Sequence, residues 1–360
     1  MDFADRYKTP LADIFTRQYK LQLEHRVELA LLKALSQLQI IPAAAYPAIK
    51  QHIDAGRVTL QRTLDIERDT HHDIMAMVKA ISEQDDQYGG FVHYGATSQD
   101  INDTVTALQL QHAQQLILTA TDAVKAQLTT LAERHKRLTA IARTHGQHAI
   151  PITMGFKFAN FLYELSHAHT TMQHVSVPGK FSGAVGTFAS LGTDQVCQLI
   201  MAELGLQAVP ISTQVVSRLH IADFVYACSS IAAVLERLGK EVRNLQRTEI
   251  NETAEGFGAG QVGSSTMPQK RNPHKSERVC GLAREIRSAL QPSLETVSVE
   301  HERDLTNSSV ERITIPRAAI LTHYCLLEMK SVSTHSMAHT HAAVDGSSSS
   351  GRTPRDVKHL

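Results

Sequence analysis

Three stretches of this 360-residue chain set polar, catalytically capable side chains against glycine. The first runs His93-Tyr94-Gly95-Ala96-Thr97-Ser98-Gln99-Asp100-Ile101-Asn102-Asp103-Thr104 and ends at an expected helix start. Free backbone N–H groups and Ser/Thr hydroxyls at such a start can hold a carboxylate or phosphate. The same Thr-Ser-x-Asp pattern also serves as an ordinary helix cap. The second stretch is Arg143-Thr144-His145-Gly146-Gln147-His148-Ala149-Ile150-Pro151, whose Thr-His-Gly, taken singly, is more often structural than catalytic. The third is Gly263-Ser264-Ser265-Thr266-Met267-Pro268-Gln269-Lys270-Arg271-Asn272-Pro273. Two prolines there fence a Lys-Arg-Asn triplet close to paired serines, which a simple flexible turn explains poorly. It is neither a phosphate-binding GxxxxGKS/T loop nor a GxSxG nucleophile elbow.

The elements that must position these residues read as helices, with no convincing alternating strand. Residues 13–40 are expected to form one helix, with Ile14, Leu21, Leu29, Leu32, Leu35 and Leu38 on its apolar side. Pro42 and Pro47 interrupt it before a shorter helix that ends near Gly56, and Leu64 to Ser82 is expected to be helical again. Further helices are expected from about Asp103 to Lys136 and from Thr153 to His174. Between Ser212 and Glu249 apolar residues step by three and four; that many helical residues span roughly 57 Å. Helices of such length need partners along their whole extent, which implies a bundle, expected to be shared between subunits. The expected organisation is an N-terminal helical domain over 1–103 and a central long-helix domain over 104–330, with the third stretch as its loop at 260–277. A polar tail is expected over 331–360, where Ser347-Ser348-Ser349-Ser350-Gly351 and scattered histidines cannot bury enough apolar surface to fold alone.

Composition narrows the function. Thirty-six basic side chains balance 36 acidic ones, so nucleic acid is not expected as a partner, because phosphate-backbone binding leaves a basic excess. Four scattered cysteines, Cys197, Cys228, Cys280 and Cys325, form no CxxC pair and read as reduced core thiols. The first residues carry acids and no apolar run, and no stretch approaches the ~20 apolar residues of a membrane span. A cytoplasmic protein with no membrane association and no metal site is the expectation. The tail histidines lack the fixed geometry a metal needs.

In this order, the three stretches resemble the signatures of the fumarase/aspartase superfamily, and the third is close to its GSSxMPxKxNP loop. The branch most similar is that of the adenylosuccinate lyases. Asp5-Arg6-Tyr7, Thr70-His71-His72-Asp73, Leu245-Gln246-Arg247-Thr248-Glu249 and the run from His301 to Arg312 carry that likeness. It covers about residues 1–330. The resemblance implies an all-α fold, a homotetramer built on a central long-helix bundle, and active sites drawing on several subunits. It also implies β-elimination of fumarate from adenylosuccinate, and from the succinyl-carboxamide imidazole ribotide, without cofactor. Two departures stand out: Gln269 occupies a position where this branch commonly has His and argininosuccinate lyases have Gln, and the polar tail stands where a third helical domain is usual. Argininosuccinate cleavage, another superfamily lyase reaction, or an inactive structural homologue are the alternatives.

The resemblance assigns roles residue by residue. It points to Ser264 as the base that takes the proton beside a carboxylate, and to His145 as the acid that protonates the departing nitrogen. An imidazole titrating near neutrality suits that task. Lys270 and Asn272 match the groups that stabilise the doubly charged intermediate, and such electrostatic stabilisation usually lowers the barrier most. Glu277 matches the carboxylate that orients the histidine. His71, His72 and Asp73 match substrate-contacting positions, with His72 the second candidate for the acid. Arg6, Tyr7, Arg303, Ser308 and Arg312 match the nucleotide side, where arginine suits phosphate. Thr97, Ser98 and Thr144 would hold the succinyl carboxylates, with Gln214 and His93 further into the pocket.

Overall fold

The computed structural model describes residues 5–255, 267 and 270–335. Helices dominate, as the apolar spacing leads one to expect, but several of them break where a polar side chain captures backbone. A short 3-10 turn, Pro10–Phe15, precedes α1 (Arg17–Gln37). The expected single helix over 13–40 stops between them because Thr16 is extended and its hydroxyl accepts from Tyr19 N–H. Next come α2 (Ala45–Asp54), α3 (Leu60–Thr70) and α4 (Asp73–Ser82). The expected helix over 64–82 is two helices: His71 is left-handed at φ 52 and the His72 ring nitrogen caps α4 through Met75 N–H. The longest element is α5 (Ser98–Arg134), whose 37 residues span about 56 Å.

Two strands follow, β1 (Thr139–Thr144) and β2 (Gln147–Thr153), paired antiparallel. The sequence shows no alternation here because the hairpin is largely exposed on both faces, so no buried side imposes a period of two. Its two-residue turn is His145-Gly146, both at positive φ (53 and 77), which is the twist a tight hairpin demands.

The chain continues with α6 (Met154–Gln173), α7 (Gln195–Leu204), α8 (Leu219–Leu245), α9 (His274–Ser288), α10 (Leu290–Glu295) and α11 (Thr306–His335). Helix α8 has 27 residues, shorter than the 212–249 expected. At its front, Val216 N–H is held by Asp103 Oδ2 at 2.7 Å instead of a helical carbonyl. At its back, Glu252 N–H folds onto Leu245 C=O at 2.8 Å. Its composition and length are those of a membrane-crossing helix, contrary to the expectation that no stretch approaches this; 61% of its most apolar window is buried inside the chain. Helix α11 runs past Lys330 to His335 because Val332 and Ser333 are still packed, 1% and 3% exposed. Residues 336–360, with the rest of the expected tail, lie outside the described residues.

Two apolar cores result. One joins α5, α6, α8, α9 and α11 through residues such as Leu128, Phe158, Phe224, Leu235, Ile286 and Leu326. The other packs α1 to α4 and α7 around Leu31, Ile49, Met77, Val105 and Ile200. Helix α5 passes from the second into the first between Leu108 and Leu110. All four cysteines are buried free thiols. Among the described residues no His/Cys/Asp/Glu cluster could hold a metal.

Candidate functional site

The starts of three long helices meet at one end of the bundle. Arg218, 4% exposed, donates through both Nη atoms to Asp103 of α5 at 2.9 and 3.0 Å, and through Nε to Glu311 of α11 at 2.9 Å. Burial works against its charge, yet the two carboxylates more than restore it and raise its pKa further. The arginine therefore pins α5, α8 and α11 together, with their first turns side by side.

Against this bolt lies Arg303, just ahead of α11. Its Nη1 donates to Gln214 Oε1 at 2.8 Å. Its Nη2 is 2.6 Å from the amide of Gln99, oriented so that the carbonyl accepts and the NH₂ reaches Asp103 at 3.2 Å. Arg303 Nε is buried with no partner among the described residues. Burial, and then the charge of Arg218, lower the Arg303 pKa despite pulls from Asp103, Asp73 and Glu311. Arg303 is thus a cation with incomplete neutralisation beside a cavity of about 270 Å³ lined by Ala184, Val185, Gln214, His301, Arg303 and Leu305. Ser308 sits half-buried in the first turn of α11, with exposed Arg312 one turn on. Such a set can grip an anion.

The same end carries the first stretch. Thr97 N–H donates to Asp100 Oδ2 at 2.9 Å, which sets Thr97 and Ser98 at the α5 start. The other Asp100 oxygen accepts from Lys180 Nζ at 2.5 Å, Ser182 N–H at 3.1 Å and Gly183 N–H at 3.3 Å. Both members of the Lys180–Asp100 pair are fully buried. The pair ties the Thr97–Ser98 corner to the loop that forms the Ala184–Val185 wall. In that loop Gly186 is at φ 84, and Ser212 C=O occupies the space where a Cβ would stand.

His93 sits behind the corner, with Nδ1 2.7 Å from Glu28 Oε1 and its backbone N–H 3.1 Å from Glu28 Oε2. Burial alone would lower the His93 pKa, but contact with Glu28 outweighs it and the net direction is up. A histidine raised in this way stabilises the fold fully below its unfolded pKa of about 6.5, and that contribution disappears as pH climbs through the folded value. Urea stability of the native protein minus that of a His93→Gln variant, followed from about pH 5 to about pH 9, is expected to shrink with rising pH. A flat difference would mean that the imidazole gains no charge from Glu28.

Asp73 joins this group through its field on Arg303. Burial opposes its ionisation, but Lys20 at 3.4 Å and Ile74 N–H hold its pKa below the ordinary value. His71 and His72 occupy the α3–α4 corner beside it, both exposed.

The remaining expected residues stand at the other end of the bundle. Thr144 and His145 are exposed at the hairpin tip, and just past β2 the start of α6 is docked on the end of α5 by Gly155 N–H to His135 C=O at 3.0 Å. Arg143 clasps Glu252, beyond the end of α8, at 2.5 and 3.0 Å. Lys270 is exposed and Asn272 half-buried, held near that end by Gln246 to Arg271 C=O at 2.9 Å. Glu277 is exposed in the first turn of α9 and makes no ion pair with His145 within the chain, so the expected orienting contact is not made there. Arg6 is exposed, while Tyr7 packs edge-on to Tyr324 of α11 with ring centroids 5.1 Å apart. Ser264 and Gln269 lie outside the described residues.

Distances along the helices make the separation plain. Lys275 bonds Ser331 at 2.8 Å, and Ser331 is about 34 Å along α11 from Ser308. Tyr324 is about 24 Å from Ser308 on the same axis. One chain therefore holds Arg303 and its cavity at one end and the imidazole, lysine and asparagine at the other.

The sequence profile of a family described as lyase matches residues 2–288. The adenylosuccinate lyase of Pyrococcus horikoshii is 43% identical over 326 residues, covering 89% of this chain and 72% of that one. The enzyme of that name from Methanothermobacter thermautotrophicus is 45% identical over 329 residues, covering 89% and 73%. This chain belongs to the lyase family, on the adenylosuccinate lyase branch. Among solved structures, the 3-carboxy-cis,cis-muconate lactonizing enzyme of Pseudomonas putida matches with a TM-score of 0.84 at 28% identity, covering 93% of this chain and 77% of that one. Membership agrees with the resemblance drawn from the three stretches.

Several residues that build the Arg303 end of this lyase's bundle carry no local signal. Lys180, Arg218 and Glu28 are single charges on unremarkable segments, and only burial beside an opposite charge marks them. Asp100 and Asp103 fall within the first stretch, and their placement three residues apart on one helix face was the available clue.

Proposed function

We propose that this lyase splits adenylosuccinate into AMP and fumarate by β-elimination, and acts likewise on the succinyl-carboxamide imidazole ribotide. The observation that carries the reading is the division of the expected residues between the two ends of one bundle. The 270 Å³ cavity with Arg303, Gln214, Ser308 and Arg312 supplies the nucleotide grip. Thr97 and Ser98 at a helix start, with Thr144, suit the succinyl carboxylates. His145 protonates the leaving nitrogen as the C–N bond breaks, while Ser264 accepts the proton from the carbon beside the carboxylate. The electron pair left by that proton becomes the double bond of fumarate. Lys270 and Asn272 offset the extra negative charge while it rests on the carboxylate, and Glu277 orients His145. Arg6, Tyr7 and the His71–Asp73 corner complete the substrate enclosure.

These groups meet only if copies pack with opposite ends together, so a homotetramer with an antiparallel arrangement is part of the proposal. Exposed Phe156 and Tyr163 on α6 and Tyr226 on α8, 67%, 75% and 53% exposed, supply an apolar face for it. The division into residues 1–103 and a central 104–330 domain, and a cytoplasmic setting without cofactor, belong to the same reading. The deciding experiment is turnover of adenylosuccinate, followed by its absorbance loss, on a sample whose mass is set by sedimentation. Argininosuccinate is run beside it, since Gln269 leaves that alternative open. A tetramer that turns over neither substrate would overturn the proposal in favour of a structural homologue.

A further inference from the structure

A second cavity lies in the N-terminal core, among α1, α2 and α7 and away from every residue given a role above. It opens to the surface and has a volume of about 360 Å³, within the range of about 300–1,000 Å³ common to small-molecule sites. Leu29 and Ile53 make its apolar lining, Tyr46 offers a ring, and Arg26, Lys50 and Glu203 are the charged side chains along it. His25 lines it as well. That side chain is 9% exposed, and its Nε2 is buried without a hydrogen-bond partner among the described residues. Burial lowers its pKa to about 4, so the ring is neutral at physiological pH and offers a hydrogen bond rather than a charge. Leaving a buried polar atom unpaired is costly, so native proteins seldom do it without a purpose.

The charges along the cavity are unbalanced. Lys33 is paired with Glu203 at 2.6 Å and Lys50 with Asp54. Arg26 has only a hydrogen bond to Leu204 C=O at 3.2 Å and no carboxylate within ion-pair distance among the described residues. A ligand that matches all of this has a flat ring to lie between Leu29, Ile53 and Tyr46. It carries one hydrogen-bonding atom for His25 and an anionic head for Arg26, with the Asp54-paired Lys50 beside it.

We propose that this cavity is a binding site, separate from the catalytic ends, for a small aromatic anion bearing a phosphate or carboxylate. Calorimetric titration of the full-length protein with phenyl phosphate, benzoate and inorganic phosphate tests it. One site per chain is expected for at least one aryl anion, with inorganic phosphate at least tenfold weaker. Arg26→Glu and Lys50→Glu, both lining the cavity, are each expected to weaken aryl binding at least tenfold with unchanged circular dichroism. Arg303→Ala is expected to leave it intact. No heat with either aryl anion, equal affinity for inorganic phosphate, or loss in Arg303→Ala but in neither Arg26→Glu nor Lys50→Glu would each overturn the proposal. The readout is binding alone, so it stands or falls independently of the lyase assay.

Discussion

Replacing His145 by alanine is expected to lower adenylosuccinate turnover by about 10²–10⁴-fold, the contribution of a positioned general acid. Replacing Arg303 by alanine is expected to abolish activity at low substrate by removing the half-buried cation beside the 270 Å³ cavity. Combining the two variants in one assembly should restore activity. His145 is at the hairpin tip past the end of α5, and Arg303 borders the start of that helix, which is about 56 Å long. A site that uses both must take them from different chains. When the two inactive variants are unfolded together, mixed equally and refolded, each site draws its two halves independently. Activity should then return to roughly a quarter of the native value. A mixture as inactive as its parents would place both residues in one chain's site, or in none, and the antiparallel assembly would fail with it.

Lys180→Met should give the largest loss of stability. The lysine is fully buried, and its ammonium is 2.5 Å from Asp100 and 3.0 Å from Gly183 C=O. Removing the cation leaves a carboxylate in the interior with only backbone N–H donors, and breaking a buried pair in this way costs about 3–5 kcal/mol. The reduced urea midpoint, read at one fixed protein concentration because assembly adds to apparent stability, measures it. A change below about 1 kcal/mol, the scale of an exposed pair, would mean that water reaches Asp100. The substitution should also loosen the Thr97–Ser98 corner, because Asp100 holds Thr97 N–H through its second oxygen.

The helical nature of the chain was legible because amphipathic spacing is a local property. Leu32 and Leu35 on α1, or Phe224, Cys228, Ile231 and Leu235 on α8, announce a buried face by their intervals alone. The breaks were not legible. Thr16, His72 and Val216 end or delay helices through hydrogen bonds from one residue to a particular partner, and Val216 takes its partner from 113 residues away. The hairpin escaped for the opposite reason: with most of its residues exposed, nothing in their order records a face.

By itself the sequence determined the kinds of chemistry present and the family to which they belong. Both are written in contiguous strings, from His93 to Thr104, around His145, and from Gly263 to Pro273. Only the tertiary structure decided that the first two of these strings lie at opposite ends of one bundle, and that Arg218 and Lys180 are what hold the Arg303 end together. The reason is distance. A rigid helix converts sequence separation into about 1.5 Å per residue, so residues that a motif groups by role are driven apart in space within a single chain. Ion pairs between distant segments also leave no trace until the chain has folded and taken the water away.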